Sequence, residues 1–267
     1  TTDNDTAGFT IVQSGGSTAV AETGTTDTFT VVLNAQPASN VVLLISSSDT
    51  GEATVNTPFT FSTENWNTPR TVTVTGVDDD LVDGTITSTV TITVDDANSD
   101  DTFDAVADQT VSATTTDDDV AGFTVTETGG STTVAETGTT DTFTVVLTAQ
   151  PASDVVLSIS SADTDEASVA PSSVTFTTGN WNTAQTVTVT GIDESVVDGD
   201  QNSTITVAIL DAASDDSFDA LADQTVSVTT TDNDVAGFTV AQTDGSTSVA
   251  ETGTTDTFTV VLNAQPV

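Results

Sequence analysis

The segment VAETGTTDTFTVVL occurs three times, letter for letter, beginning at Val20, Val134 and Val249. A second signature runs ahead of it: TTDNDTAGFT at Thr1, TTDDDVAGFT at Thr115 and TTDNDVAGFT at Thr230. Phe9, Phe123 and Phe238 mark the period, with steps of 114 and 115 residues. The extra residue of the second step falls between two strands, where NTPF at 56–59 faces APSSV at 170–174. A period of this length is a domain and far exceeds a solenoid unit. The chain therefore reads as a string of domains. Residues 1–6 are the end of a preceding repeat or linker, 7–116 the first repeat, and 117–120 an acidic junction. Residues 121–231 form the second repeat, 232–235 a second acidic junction, and 236–267 the opening strands of a third. The whole reads as the interior of something longer.

Inside a repeat, apolar and polar residues alternate with period two, and no amphipathic helical pattern occurs. In the first repeat the expected strands are Gly8–Val12, Thr28–Leu33, Val41–Ser46, Phe59–Phe61, Thr71–Thr75, Ser88–Val94 and Thr110–Thr114. Comparing repeats sorts the faces. Val41, Leu43 and Ile45 are matched by Val155, Leu157 and Ile159, whereas Leu44 is matched by Ser158, which puts Leu44 outside. Phe29, Val31, Leu33, Val72, Val74, Val90, Ile92, Val94, Val111 and Ala113 complete one core, with threonine on the solvated faces. Seven short strands with turn-rich joints predict an all-β fold of tandem, seven-stranded antiparallel Ig-like β-sandwiches in a head-to-tail array.

Strand parity then locates the acids. With successive strands antiparallel, every second connection lies at the same end of the sandwich. Glu22 after the first strand, Asp49 and Glu52 after the third, Asp78, Asp79, Asp80 and Asp83 after the fifth, and Asp117, Asp118 and Asp119 after the seventh converge on one tip. At the opposite end, Asp100, Asp101 and Asp104 are expected near Asp3 and Asp5, and Asp215, Asp216 and Asp219 near Asp117 and Asp119. The chain carries 41 acidic residues against one basic residue, Arg70, for a formal charge of −40. Six or more carboxylates in close quarters do not all ionise without a counter-charge. With oxygen donors alone and no histidine or cysteine, the donor set favours Ca²⁺ over zinc or copper, and Mg²⁺ seldom uses an all-protein cage.

The same composition closes other routes. Nucleic acid and anionic membrane both require a basic surface. No apolar run approaches bilayer-spanning length, so no direct membrane insertion is expected. Without histidine, cysteine or lysine there is no catalytic triad, thiol chemistry or Schiff base, and the chain is not expected to be an enzyme. Trp66 and Trp181 in NWNT are expected to be packing anchors at the end of the core, and Arg70, replaced by Gln185 in the second repeat, a surface charge.

VAE before the second strand (Glu22, Glu136, Glu251), GVDDDLVDG at 76–84 and TTDDD at 115–119 resemble the Calx-beta domain family and the large bacterial surface proteins that repeat such domains. The resemblance covers the whole chain. It implies calcium ligands at Glu22, Asp78, Asp79, Asp83, Asp117 and Asp119, with the Leu81 backbone as a further donor, and at Glu136, Asp193, Glu194, Asp198, Asp232 and Asp234 in the second repeat. The second repeat departs from the first, with Ser195 in place of Asp80, so its site is expected to bind fewer or weaker ions. In the segment SSSDTGE the choice between Asp49 and Glu52 stays open.

Three roles follow as expectations. The first is a calcium-binding structural repeat of an extracellular bacterial adhesin, biofilm-matrix or surface-layer fibre, secreted to the cell surface. Calcium would stiffen its junctions with neighbouring repeats into a rod rising about 40 Å per repeat. The second is a filament subunit that assembles with other copies by inter-chain strand complementation through 237–262. The third is a glycan- or host-protein-binding module. It predicts loops that vary between repeats, against which NAQPAS and NWNT recur nearly unchanged.

Overall fold

A computed structural model describes residues 5–266, so the expected partner Asp3 lies outside the described residues. The chain divides into two compact units, one ending at Val120 and the other beginning at Ala121. In the first, the strands are β1 Phe9–Gln13, β2 Thr18–Ala21, β3 Thr26–Leu33, β4 Val41–Ser47, β5 Ala53–Val55, β6 Phe59–Phe61, β7 Arg70–Gly76, β8 Ile86–Val94 and β9 Gln109–Thr116. They form a four-stranded sheet, β1-β3-β7-β5, and a five-stranded sheet, β2-β9-β8-β4-β6. Helix among the described residues is confined to three-residue 3-10 turns, and none is long and apolar enough to cross a membrane. The fold is all-β and of the Ig-like sandwich kind.

The seven expected strands are all present, and two more join them. Ser14–Gly16 breaks the first strand in two, because Gly15 and Gly16 both adopt positive φ (68° and 88°) that other residues seldom reach. The chain thereby crosses from one sheet to the other, and β2 pairs with β9 in parallel, Thr18 opposite Ala113 through Ala21 opposite Thr116. This is the departure from an antiparallel layout. The short β5 pairs with the end of β7, Ala53 opposite Gly76.

The faces sort as the repeat comparison predicts. Val41, Leu43 and Ile45 are buried while Leu44 is 42% exposed. Phe103, from the β8–β9 loop, is also fully buried and plugs the core, a role its acidic surroundings conceal. Its neighbour Asp100 is buried as a turn organiser. The Thr102 hydroxyl donates to it at 2.7 Å, with further donation from the backbone N–H groups of Thr102, Ser39 and Ala38. These bonds, the Thr102 hydroxyl foremost, hold its carboxyl down at about 2. Asp100 is therefore committed to its own loop. Trp66 packs half-buried against the core and its carbonyl accepts from the Leu33 N–H at 3.2 Å, as expected of an anchor.

The second unit has the same element order: β10 Phe123–Glu127, β11 Thr132–Ala135, β12 Thr140–Leu147, β13 Val155–Ser161, β14 Ala167–Ala170, β15 Ser173–Phe176, β16 Gln185–Gly191, β17 Gln201–Ile209 and β18 Gln224–Thr231. Its sheets are β10-β12-β16-β14 and β11-β18-β17-β13-β15. Phe218 is the buried plug and Asp215 the turn organiser. Burial works to raise the Asp215 carboxyl, but bonds from Ser217 and Ser153 outweigh it and the net shift is downward. The unit ends in a hairpin, β19 Phe238–Gln242 with β20 Phe258–Leu262.

One glycine fixes the tip. A Cβ on Gly76 would lie 2.1 Å from the Ala21 carbonyl oxygen, and one on Gly191 would lie 2.2 Å from that of Ala135. The last residue of β7 is thus pressed against the residue preceding Glu22. Gly76→Ala is expected to destabilise the first unit by about 3 kcal/mol, in the range of a severe steric substitution. Denaturant titration followed by tryptophan fluorescence reads this, and an unchanged midpoint would show that the two backbones can separate freely.

Candidate metal centre

Four chain segments deliver carboxylates to the tip of the first unit. Glu22 follows β2 directly, and its N–H donates to the Thr116 carbonyl at 3.1 Å, which ties it to the end of β9. Glu52 immediately precedes β5, and its carbonyl accepts from the Val77 N–H at 2.9 Å, which locks it beside the β7–β8 loop. That loop supplies Asp79 and Asp83, and the exit of β9 supplies Asp117 and Asp119. Carboxylate oxygens of Glu22, Asp79 and Asp119 lie within 4.8 Å of one another, as do those of Glu22, Glu52 and Asp83. Glu22 is shared by both groups.

Asp117 organises the others. It accepts the Gly84 N–H at 2.8 Å on one oxygen and the Asp119 N–H at 2.7 Å on the other, joining the β9 exit to the β7–β8 loop. Gly84 turns there at positive φ, 75°. Asp78 is exposed and belongs to neither group. In the second unit, Glu136, Asp232 and Asp234 form one group and Glu136, Glu194 and Asp198 the other. Asp232 accepts from Gly199 and Asp234 as Asp117 does from Gly84 and Asp119. The exposed Asp193 accepts from the Asn233 side chain at 3.2 Å and is in neither group.

The residue that sequence reasoning left open is Glu52, with its counterpart Glu166. Glu52 is 5% exposed, whereas exposed Asp49 caps its own turn by accepting the Gly51 N–H. Both pairs recur as DTGEA and DTDEA, so recurrence does not separate them. What does is β5, whose first residue is pinned against Gly76. A three-residue strand gives too little alternation to be recognised.

Several of these oxygens have no partner. Glu22 Oε2, Glu52 Oε2 and Asp83 Oδ1 are buried without a hydrogen bond, and so are Glu166 Oε2, Glu194 Oε1, Asp198 Oδ1 and Asp234 Oδ2. No basic side chain serves them. Arg70 starts β7, so it lies about 20 Å along that strand from Gly76 and sits over the Phe61 ring at 5.9 Å. The second unit contains no lysine, arginine or histidine at all. Buried, unpartnered carboxylate oxygens facing one another suit a hard divalent cation, and the donor set offers it oxygen alone.

No protein-family model matches the chain, and no curated protein matches it. Solved structures similar to it include the crystal structure of CBD12 from CALX1.2 (12% identity, TM-score 0.31, 74% of this chain and 78% of that one). Another is the S-layer protein SbsC, domains 4 and 5 (18% identity, TM-score 0.32, 71% and 76%). A third is the S-layer protein rSbsC(31-844), at 15% identity and TM-score 0.34, with 98% of this chain matched to 37% of that one. Likenesses of this extent assign neither a family nor a ligand.

The electrostatics of the tip are one-sided. Burial first, then the charges of Asp117, Asp79 and Glu52, push the Glu22 carboxyl up from 4.5 to about 7, against a backbone bond from Asp118 that lowers it. Burial, followed by Asp198, Asp163, Glu136 and Glu194, lifts Glu166 to about 7. Glu52, Asp83, Asp119, Glu136 and Glu194 move the same way, with burial the largest cause in each. A raised carboxyl holds its proton in the folded state after the unfolded chain has lost it. Stability is therefore fully present below about pH 4.5 and falls as pH rises towards 7, by about 3 kcal/mol for a glutamate shifted this far. In metal-free buffer the protein is expected to melt at a higher temperature at pH 5 than at pH 8, with a shallower dependence in Glu166→Gln. Calorimetry in chelator tests this. A metal-free protein more stable at pH 8 would contradict the burial of these acids.

Proposed function

We propose that each complete repeat binds calcium at the tip where β2, β5, the β7–β8 loop and the exit of β9 meet, and that the chain is a structural repeat of an extracellular surface protein or fibre. The observation that carries this reading is the pair of buried, unpartnered oxygens on Glu22 and Glu52, side chains 1% and 5% exposed, in a unit whose one basic residue lies at the far end of β7. A cation relieves that arrangement at any pH, whereas a proton on Glu22 does so only up to about pH 7. Glu22, Glu52, Asp79, Asp83 and Asp119 would hold it, two ion positions sharing Glu22, with Asp117 keeping the loop and strand exit in register. In the second unit the holders would be Glu136, Glu194, Asp198, Asp232 and Asp234, with Glu166 adjoining. The role in this reading is binding, with the tip carboxylates serving as ligands in a chain that has no histidine, cysteine or lysine. Extracellular fluids supply calcium at the concentrations that modest all-oxygen sites require, which is the ground for an extracellular place.

The test is melting in calcium, magnesium and chelator. Calcium at about a hundredfold excess over the dissociation constant adds about 2.7 kcal/mol, and magnesium adds much less. Glu22→Gln is expected to remove the response of the first unit, while Glu52→Gln removes one ion position and leaves the Glu22, Asp79 and Asp119 group. Equal melting in calcium and chelator would end the calcium reading.

A further inference from the structure

Aspartate is followed by glycine three times, at Asp83–Gly84, Asp198–Gly199 and Asp244–Gly245. Such a pair is open to attack of the backbone on its own side chain, because glycine has no Cβ to shield its nitrogen. The glycine nitrogen adds to the aspartate Cγ, the carboxyl hydroxyl leaves with the amide proton as water, and a five-membered succinimide closes. Water then reopens the ring at either carbonyl. Opening at the α-carbonyl leaves isoaspartate, whose backbone is one methylene longer. Water is the sole co-reactant.

The new N–Cγ bond takes the place of the N–H bond, so closure requires the glycine N–H to swing towards the preceding side chain. At two of the three pairs the fold opposes this. The Gly84 N–H is given to Asp117 Oδ2 at 2.8 Å, and the Gly199 N–H to Asp232 Oδ2 at 2.8 Å. Asp83 and Asp198 are half-buried, the first grouped with Glu22 and Glu52, the second with Glu136 and Glu194. Closing either ring breaks a charge-assisted hydrogen bond and pulls a carboxylate from its group.

The third pair lacks these restraints. Asp244 and Gly245 lie in an exposed three-residue 3-10 turn, Thr243–Gly245, and among the described residues no side chain takes the Gly245 N–H. Asp244 is also the one non-glycine residue at positive φ among the described residues (φ 56°, ψ 19°). In the first two repeats the same turn position is held by Gly15 at 68° and Gly129 at 77°. Residues with a side chain populate this region sparsely. The rotation about the Asp244 Cα–C bond that ring closure needs therefore leaves a conformation of little intrinsic stability.

We propose that Asp244–Gly245 is a site of spontaneous conversion of aspartate to isoaspartate, and that Asp117 and Asp232 shield the two pairs at the acidic tips from the same reaction. The third repeat thereby gains with age a chemical mark that glycine at this turn position cannot form. The mark lengthens the turn after β19 by one methylene and exposes an isoaspartyl α-carboxyl group.

The experiment ages the whole chain in warm neutral buffer, folded and in urea. Isoaspartate is located by fragmentation mass spectrometry and by methyl transfer from S-adenosylmethionine with an isoaspartyl methyltransferase. In the folded chain it is expected at Asp244, with Asp83 and Asp198 converting at least about tenfold more slowly, because a hydrogen bond to a charged group must open first. In urea the three rates are expected to converge. Asp244→Gly is expected to abolish methyl acceptance by the folded chain. An Asp244 that stays intact in the folded chain while a peptide of residues 240–248 converts overturns the site. Conversion of Asp83 or Asp198 as fast as Asp244 in the folded chain overturns the shielding, as does slow conversion of both in urea.

Discussion

Everything at the tip of each unit follows from carboxylates withdrawn from water with nothing positive to meet them. Desolvating a charge costs several kcal/mol unless a partner is supplied. This chain has one basic residue in 267, at the wrong end of β7. The backbone leaves the acids little room to retreat: Gly76 against the Ala21 carbonyl, Val77 on the Glu52 carbonyl and Gly84 on Asp117 fix the segments that carry them. The folded state thus has two ways to relieve the tip, a proton or a cation, and the pH of the surroundings decides between them.

Much of this was legible before any coordinates. Three copies of one segment fix the repeat, period-two alternation fixes the sheets, and strand parity brings Glu22, Asp79, Asp83 and Asp119 to one end. The parts that escaped share a physical cause, which is that they are short. The strand β2 has four residues and β5 three, too few for alternation to register, and both owe their place to partners distant in sequence. With β5 unrecognised, Glu52 had no position relative to the sheet, and it could not be told from Asp49. Asp100 and Asp215 escaped for a different reason. An aspartate that closes its own loop through backbone N–H groups looks the same in sequence as one that faces a neighbour.

The two units solve the same problem with slightly different parts. Glu194 stands where the first unit has Asp79, one methylene longer, and Ser195 replaces Asp80. The outer carboxylate Asp80 belongs to neither group in the first unit, and the second unit, with Ser195 in its place, still forms two groups around Glu136, drawing on Asp232 where the first draws on Glu52. Asp118 and Asn233 hold the same post, each giving its backbone N–H to the shared glutamate, so the exchange of a charged for a neutral side chain leaves that bond in place.

The parallel pairing of β2 with β9 has a mechanical meaning. Tension applied to the two ends of a unit pulls β2 towards its N-terminus and β9 towards its C-terminus. Two parallel strands drawn in opposite senses slide in shear, and the rungs from Thr18–Ala113 to Ala21–Thr116 must yield together instead of peeling one at a time. Glu22 continues β2 and Asp117 and Asp119 continue β9, so the acidic tip lies directly in line with that ladder. A cation gripped by Glu22 and Asp119 would act as a rivet at its end, and how much force the unit survives would then depend on the ionic make-up of the fluid around it.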